Sequence, residues 1–260
     1  MFKKFLFVCF LSISVISPLF ATYLHDDPKL GNIALEVGLW NTSLDGSISN
    51  VDSHTTLKGD LGFDDKTVIN AFGLDLKNDI FWLPNVYINY FIINKSANST
   101  LKTHKIIDEK DFRDSVSSDI EYSELNTILY GFLQQSIFEF DFGINIKKVD
   151  YTQITRENYN ERDEVVLIGP TDPMILPYGA LKIDLDAIDT VLKFETSILA
   201  FGDNEAKDYR YSINYRVMRN VYMSYGYRYN SWKSKNVDET KNEKYDMKIK
   251  GNYLNFKILF

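Results

Sequence analysis

Residues 252–260 run Asn-Tyr-Leu-Asn-Phe-Lys-Ile-Leu-Phe and finish the chain. Period-two spacing places Leu254, Phe256, Ile258 and Phe260 on one face of a strand and Tyr253, Asn255, Lys257 and Leu259 on the other. One face therefore asks for an apolar surrounding while the other carries a lysine and an asparagine. Such a strand suits either the edge of an ordinary sheet or the closing strand of a barrel. The opposite end of the chain bears on that choice.

Residues 1–21 read as a secretory signal peptide. Lys3 and Lys4 form a positive start, the stretch from Phe5 to Phe20 is apolar apart from three serines, and Pro18 precedes a predicted cut after Ala21. The apolar run of roughly 16 residues is shorter than the ~20 that a spanning helix needs. The domain reading is thus a signal over 1–21 and one β domain over 22–260. The single cysteine, Cys9, leaves with the signal, so disulfides cannot hold the exported chain. Formal charge moves from −7 to about −9 without Lys3 and Lys4. An acidic chain of mixed charge is a poor nucleic-acid binder, and no nucleic-acid partner is expected. No second apolar run approaches the length of a membrane helix. A membrane-spanning structure would have to be a closed barrel, the other arrangement that satisfies every backbone group in lipid.

Alternation predicts ten strands, at 31–41, 66–77, 85–95, 118–133, 137–152, 177–186, 190–200, 207–217, 221–232 and 245–260. The clearest alternates Phe138, Phe140, Phe142, Ile144 and Ile146 with Glu139, Asp141, Gly143, Asn145 and Lys147. Two places break the rhythm. Past Lys147 the apolar residues move to Val149, Tyr151 and Ile154, and around Gly251 the series Tyr245, Met247, Ile249 gives way to Leu254 and Phe256; a bulge or departure from the membrane is expected there. The links alternate in length. The long ones lie at 42–65, 96–117 and 153–176 and include a modest 201–206 loop and the polar 233–244 loop, while those at 78–84, 134–136, 187–189 and 218–220 are short. Ten strands put all long links on one side, as a barrel with short periplasmic turns and longer outer loops requires.

Alternation does not say which face points inward: a soluble barrel is apolar inside, a membrane barrel apolar outside. Aromatic residues near strand ends favour the second, with Trp40, Tyr122, Tyr151, Tyr178, Tyr209, Tyr229 and Trp232 expected as an outer girdle and Phe81, Trp82, Phe132, Phe138 and Phe260 as an inner one. The polar face is balanced in charge. Glu36, Asp75, Glu124, Glu139, Asp141, Asp184, Asp186 and Glu195 stand against Lys147, Lys182, Lys193, Arg210, Arg216, Arg228 and Lys257. Ten strands leave little more interior than side chains fill, and charges held there must pair or stay wet. These residues are expected as a paired network that fills the lumen.

Catalytic chemistry is thinly supplied. The histidines are His25 in the N-terminal tail and His54 and His104 in outer loops, none at metal-ligand spacing. His54 with Asp52 or Ser53, or His104 with Asp108, would be the raw material of a rim-active hydrolase. The loop acids Asp60, Asp64, Asp65, Glu161, Asp163 and Glu164 lack the regular spacing of a calcium loop. No catalytic residue, cofactor or metal site is assigned and no enzyme is expected. A narrow porin or substrate-specific channel is the alternative to a structural or surface-interaction role.

Gly38-Leu-Trp40, Asp60-Leu-Gly-Phe-Asp-Asp65, Phe72-Gly-Leu-Asp-Leu-Lys77, Leu83-Pro-Asn-Val86 and the terminal Phe260 carry a resemblance. In these the chain resembles a family of small outer-membrane β-barrel proteins of Gram-negative bacteria that have no assigned activity. The resemblance implies an all-β, transmembrane, antiparallel up-and-down barrel in the cell outer membrane. The expected state is a monomer among outer-membrane lipid and lipopolysaccharide, with a barrel-assembly machinery reading Phe256, Ile258 and Phe260. The resemblance supplies no site residue.

Overall fold

The computed structural model describes residues 33–49, 54–78, 83–103, 105–107, 110–157, 164–168, 173–201, 204–235 and 244–260. The predicted signal at 1–21, His25, Phe81, Trp82 and His104 lie outside the described residues. Ten long strands dominate: β1 (Ile33–Ser49), β2 (Thr67–Leu76), β3 (Asn85–Thr100), β4 (Ser115–Gln135), β5 (Phe138–Glu157), β6 (Met174–Leu185), β7 (Thr190–Phe201), β8 (Asn204–Met218), β9 (Val221–Lys235) and β10 (Lys244–Leu259). Each pairs antiparallel with its chain neighbour. The ring closes where β1 meets β10, with Ala34 opposite Leu259 and Ser49 opposite Lys244. Two short strands, His54–Thr56 beside β1 and Glu164–Ile168 beside β5, extend the sheet to twelve strands at its outer end. A two-stranded ribbon, Lys105–Ile107 with Lys110–Phe112, lies in the link after β3. Among the described residues no helix is long and apolar enough to cross a membrane; the crossing is made by strands.

The links alternate as their lengths predict. Ser136 and Asp189 take the left-handed conformation (φ 57° and 52°) in the tight turns after β4 and β6. The strands run longer than their alternation suggests. Seven of the ten have 15 to 21 residues. At about 3.3 Å per residue and ~40° tilt, that is a climb of roughly 38–53 Å, well beyond an apolar band of about 25 Å.

The excess length explains both breaks in rhythm. β4 and β5 pair without interruption from Val116↔Glu157 to Gln135↔Phe138, and β10 keeps register with β1 and β9 through Gly251. Neither place holds a bulge. The pleat continues and the polarity of its two faces exchanges. Below Lys147, Phe140, Phe142 and Ile144 are exposed on the outside while Asp141 and Asn145 are buried within. Above it, Val149 and Tyr151 are buried within while Lys148 and Asp150 are exposed and paired with each other at 3.6 Å. The lower storey is apolar outside and polar inside; the upper storey is the reverse.

That exchange corrects the outer girdle. Trp40, Tyr122, Tyr151, Tyr178 and Trp232 face the lumen, four of them at 2% exposure or less and Tyr178 at 8%. Each shares the pleat phase of the ionic residues on its own strand, so lipid is out of their reach. Tyr209 and Tyr229 do face outward as expected, on β8 and β9, 6.1 Å apart, and on the same strands Tyr211 stacks on Tyr227 with centroids 5.4 Å apart. Phe138 and Phe260 are exposed at the periplasmic end. Phe132 is exposed there too, although its pleat position belongs to the lumen face.

Candidate functional site

Inward positions of the ten strands build the lumen in three layers. The lowest surrounds a cavity of about 290 Å³ at the periplasmic end. Five of the acids around it have partners, most of them from other strands. Asp75 accepts from Lys257 Nζ at 2.8 Å and from the Tyr130 hydroxyl at 2.9 Å. Glu36 accepts from the Tyr87 hydroxyl at 3.0 Å and from Asn255. Lys182 bridges Glu139 and Asp141, reaching the latter at 2.8 Å. Glu195 takes Lys193 at 2.8 Å, the Tyr178 hydroxyl at 3.0 Å and, at 3.7 Å, Arg210. Arg210 also donates to the Tyr87 hydroxyl. Asp184 lies at the exposed mouth of this cavity.

The middle layer is buried. Glu124 on β4 is wholly buried and its two oxygens receive five donors. These are Arg228 at 2.9 Å, Lys147 at 3.1 Å, the Tyr122 hydroxyl and Asn126 at 2.6 Å each, and Asn230. Arg228 reaches Asp208 through Nε at 3.0 Å and Asn89 at 2.9 Å. Its guanidinium packs between the rings of Trp40 and Phe91, 5.2 and 5.0 Å from their centroids. Two acids and two bases from β4, β5, β8 and β9 thus form a neutral quartet across the bore. Burying four charges is costly, and only complete pairing makes it tolerable. Losing one member would strand its partners.

The third layer is an apolar core above the quartet. Trp40 meets Phe91 edge-on at 5.0 Å, Phe91 stacks on Tyr122 at 5.8 Å, and Trp232 contacts Tyr151 and Tyr245 at 6.0 and 6.4 Å. Leu57, Leu61 and Phe63 from the first outer link, and Leu101, Ile107 and Phe112 from the second, are buried in the same core. The first link is pinned by Asp60, which accepts from the Thr56 amide at 2.8 Å and hydroxyl at 2.9 Å and pairs with Lys105 at 3.3 Å. Burial opposes ionisation of Asp60, but those donors outweigh it and hold the carboxyl below its ordinary range. Gly62 (φ 79°) allows the link to turn against β3, where a Cβ would meet the Asn98 carbonyl at 2.9 Å.

Of the fifteen ionic residues expected in the lumen, the structure brings Glu124, Lys147 and Arg228 together in the quartet. It gathers Glu36, Asp75, Glu139, Asp141, Lys182, Lys193, Glu195, Arg210 and Lys257 around the cavity. Asp186 and Arg216 are corrections. Asp186 is exposed in the 3-10 turn after β6, and Arg216, also exposed, pairs with Asp189 at the end of that turn. Their strands have already left the bore, so water replaces the lumen as their surrounding. Asp208 was missed. It shares the inward phase of Arg210 two positions later, which is the signal that finds it. Phe256 and Ile258 face outward, and the Phe260 amide donates to the Ile33 carbonyl at 2.9 Å.

At the outer rim Ser49 Oγ lies 2.7 Å from His54 Nδ1, and Lys105 donates to the His54 carbonyl. No carboxylate among the described residues orients that imidazole, and Asp52, Ser53 and Asp108 lie outside them. No group of three or more His, Cys, Asp or Glu side chains that could hold a metal occurs among the described residues.

No family model matches the chain, and no curated protein matches it. Solved structures do. The chain is similar to the outer membrane protease OmpT of Escherichia coli, with a TM-score of 0.56 and 10% identity over 90% of this chain and 100% of that one. It is also similar to Neisserial surface protein A, with a TM-score of 0.33 and 10% identity over 88% and 97% of the two chains. The attachment invasion locus protein Ail of Yersinia pestis matches with a TM-score of 0.30 and 5% identity over 86% and 99%. At 10% identity the OmpT likeness carries the fold and no activity. With its closed ring and apolar lower exterior, the molecule is a transmembrane antiparallel β-barrel of the outer-membrane type.

Proposed function

We propose that this protein is a sealed outer-membrane barrel of structural or surface-interaction type, with its outer links as the contact surface. The observation that carries the reading is the stack of two seals. The Glu124–Lys147–Asp208–Arg228 quartet fills the bore, and the aromatic core covers it. An ion entering from the periplasm reaches the 290 Å³ cavity and stops at the guanidinium of Arg228. The barrel works as a monomer, and Phe256, Ile258 and Phe260 serve its assembly. Their outward or exposed placement supports this.

Planar-bilayer recording tests the seal. Refolded protein is expected to give no stable open conductance, and large, steady channels would overturn the proposal. The lower cavity favours a second reading, a narrow channel for small solutes. That reading requires Arg228 to leave Glu124, so a solute gradient dissipated by wild-type protein in liposomes would favour it.

A further inference from the structure

The quartet closes the periplasmic cavity from above and leaves a blind pocket of about 290 Å³ with one open end. Most charges on its wall cancel locally, as Lys257 does with Asp75 and Lys182 with Glu139 and Asp141. Asp184, at the mouth, is exposed to water. Two further charges have no counter-ion within ion-pair distance among the described residues. Glu36 lies directly opposite Lys257 on β10, but that ammonium turns to Asp75, 2.8 Å away. Glu36 is left with neutral donors, the Tyr87 hydroxyl at 3.0 Å and the Asn255 amide. Lys77 is the converse case. The carboxylates that attract it, Glu139 and Asp75, are bonded to Lys182 and Lys257.

Register sets the spacing of this unmatched pair. Glu36 on β1 pairs with Gly73 on β2, and Lys77 follows four residues nearer the periplasm. Both side chains line the cavity. At about 3.3 Å per residue they are anchored roughly 13 Å apart, the carboxylate deep and the ammonium towards the mouth. An extended chain of three residues spans about 10 Å, and hydrogen bonds at its two ends close the difference. The pocket volume lies near the ~300 Å³ lower end of small-ligand sites, which suits short side chains.

We infer that this pocket binds a short zwitterionic peptide from the periplasm, about three small residues long, with its α-ammonium on Glu36 and its α-carboxylate on Lys77. A simple anion or cation would satisfy one of the two groups and leave the other without a counter-ion. A single amino acid carries both charges but is too short to reach both groups. The inference rests on the sealed reading for its blind end, since an open bore would pass what a closed pocket retains.

Equilibrium dialysis of radiolabelled trialanine against the refolded protein in detergent tests the site, with alanine, N-acetyl-trialanine and trialanine amide as competitors. Wild-type protein is expected to bind trialanine saturably, and each competitor should be at least about tenfold weaker for want of one charge-assisted contact. Glu36→Gln should weaken trialanine about tenfold and leave N-acetyl-trialanine unchanged; Lys77→Gln should weaken trialanine to the same extent and leave the amide unchanged. Lys148→Gln on the outer surface should change nothing. Absence of saturable binding overturns the inference. So does a blocked peptide or alanine that competes as well as trialanine, or a loss in either variant that extends equally to its blocked peptide. A folded-band shift on unheated gels confirms that each variant has formed the barrel. Trialanine that binds as expected but also crosses liposomes would refute the seal rather than the peptide contacts, so the two failures are distinguishable.

Discussion

Along β5, Phe140, Phe142 and Ile144 meet lipid below Lys147, whereas Lys148 and Asp150 meet water above it. Inside the bore the order is reversed, Asp141 and Asn145 giving way to Val149 and Tyr151. One continuous pleat therefore passes through two surroundings. The lower storey obeys the rule of membrane barrels and the upper storey that of soluble ones. The quartet around Glu124 sits at the junction, where neither lipid nor water is within reach. The barrel can be sealed because its upper half is a folded core in its own right, with the outer links supplying part of the apolar mass.

The contrast sets a scale for substitutions. Glu124→Ala should have the largest effect. It leaves Lys147 and Arg228 without their shared carboxylate, and a loss of ~3–5 kcal/mol is expected in denaturant unfolding from detergent. Asp75→Asn, in the water-accessible cavity, should cost distinctly less, and equal losses would mean that the two charged layers are equally dry. Trp40→Ala should remove about 3–4 kcal/mol by opening the upper core above Arg228. A smaller loss would show that this core is loosely packed.

Outward positions should separate the storeys most cleanly. Phe142→Arg places a charge against lipid and should cost ~2–4 kcal/mol, while Asp150→Arg, eight residues up the same face, should stay within about 0.5 kcal/mol. Similar costs at both sites would erase the distinction. The smallest effect concerns acid. The Asp60 carboxyl lies below its ordinary value when folded, so it contributes stability above the unfolded value of roughly 4. That contribution fades as pH falls through the folded value. Amide exchange over 54–63 should rise below about pH 4 in wild type and be raised but less pH-sensitive in Asp60→Asn.

Much of the frame was legible in the sequence, because alternation and link length depend on the chain alone. Ten strands, their order and the side of the long links follow from these. Direction was legible only in the lower storey, where Phe140 and Glu139 differ plainly. In the upper storey the alternation is equally regular but solvent has changed places with core. Trp40, Tyr122, Tyr151 and Trp232 therefore resembled interface anchors, as did Tyr178 in the cavity layer, and at Lys147 and Gly251 a departure from the membrane could not be told from a bulge. A surrounding is not encoded in periodicity; it emerges when strand length exceeds membrane thickness. The partners of Glu124 were out of reach for another reason. Asn89, Asn126 and Asn230 are uncharged, and their convergence on Glu124 and Arg228 depends on register between β3, β4 and β9.

The two-storey claim is tested most directly by a nitroxide scan of β5 in lipid, using protein that begins at residue 22 and so carries no native cysteine. Labels at 140, 142, 144 and 146 should be relaxed by oxygen, labels at 150, 152 and 154 by a water-soluble nickel chelate, and labels at 149, 151 and 153 by neither. Oxygen-dominated relaxation at 150 to 154, or nickel access at 149 to 153, would contradict the account.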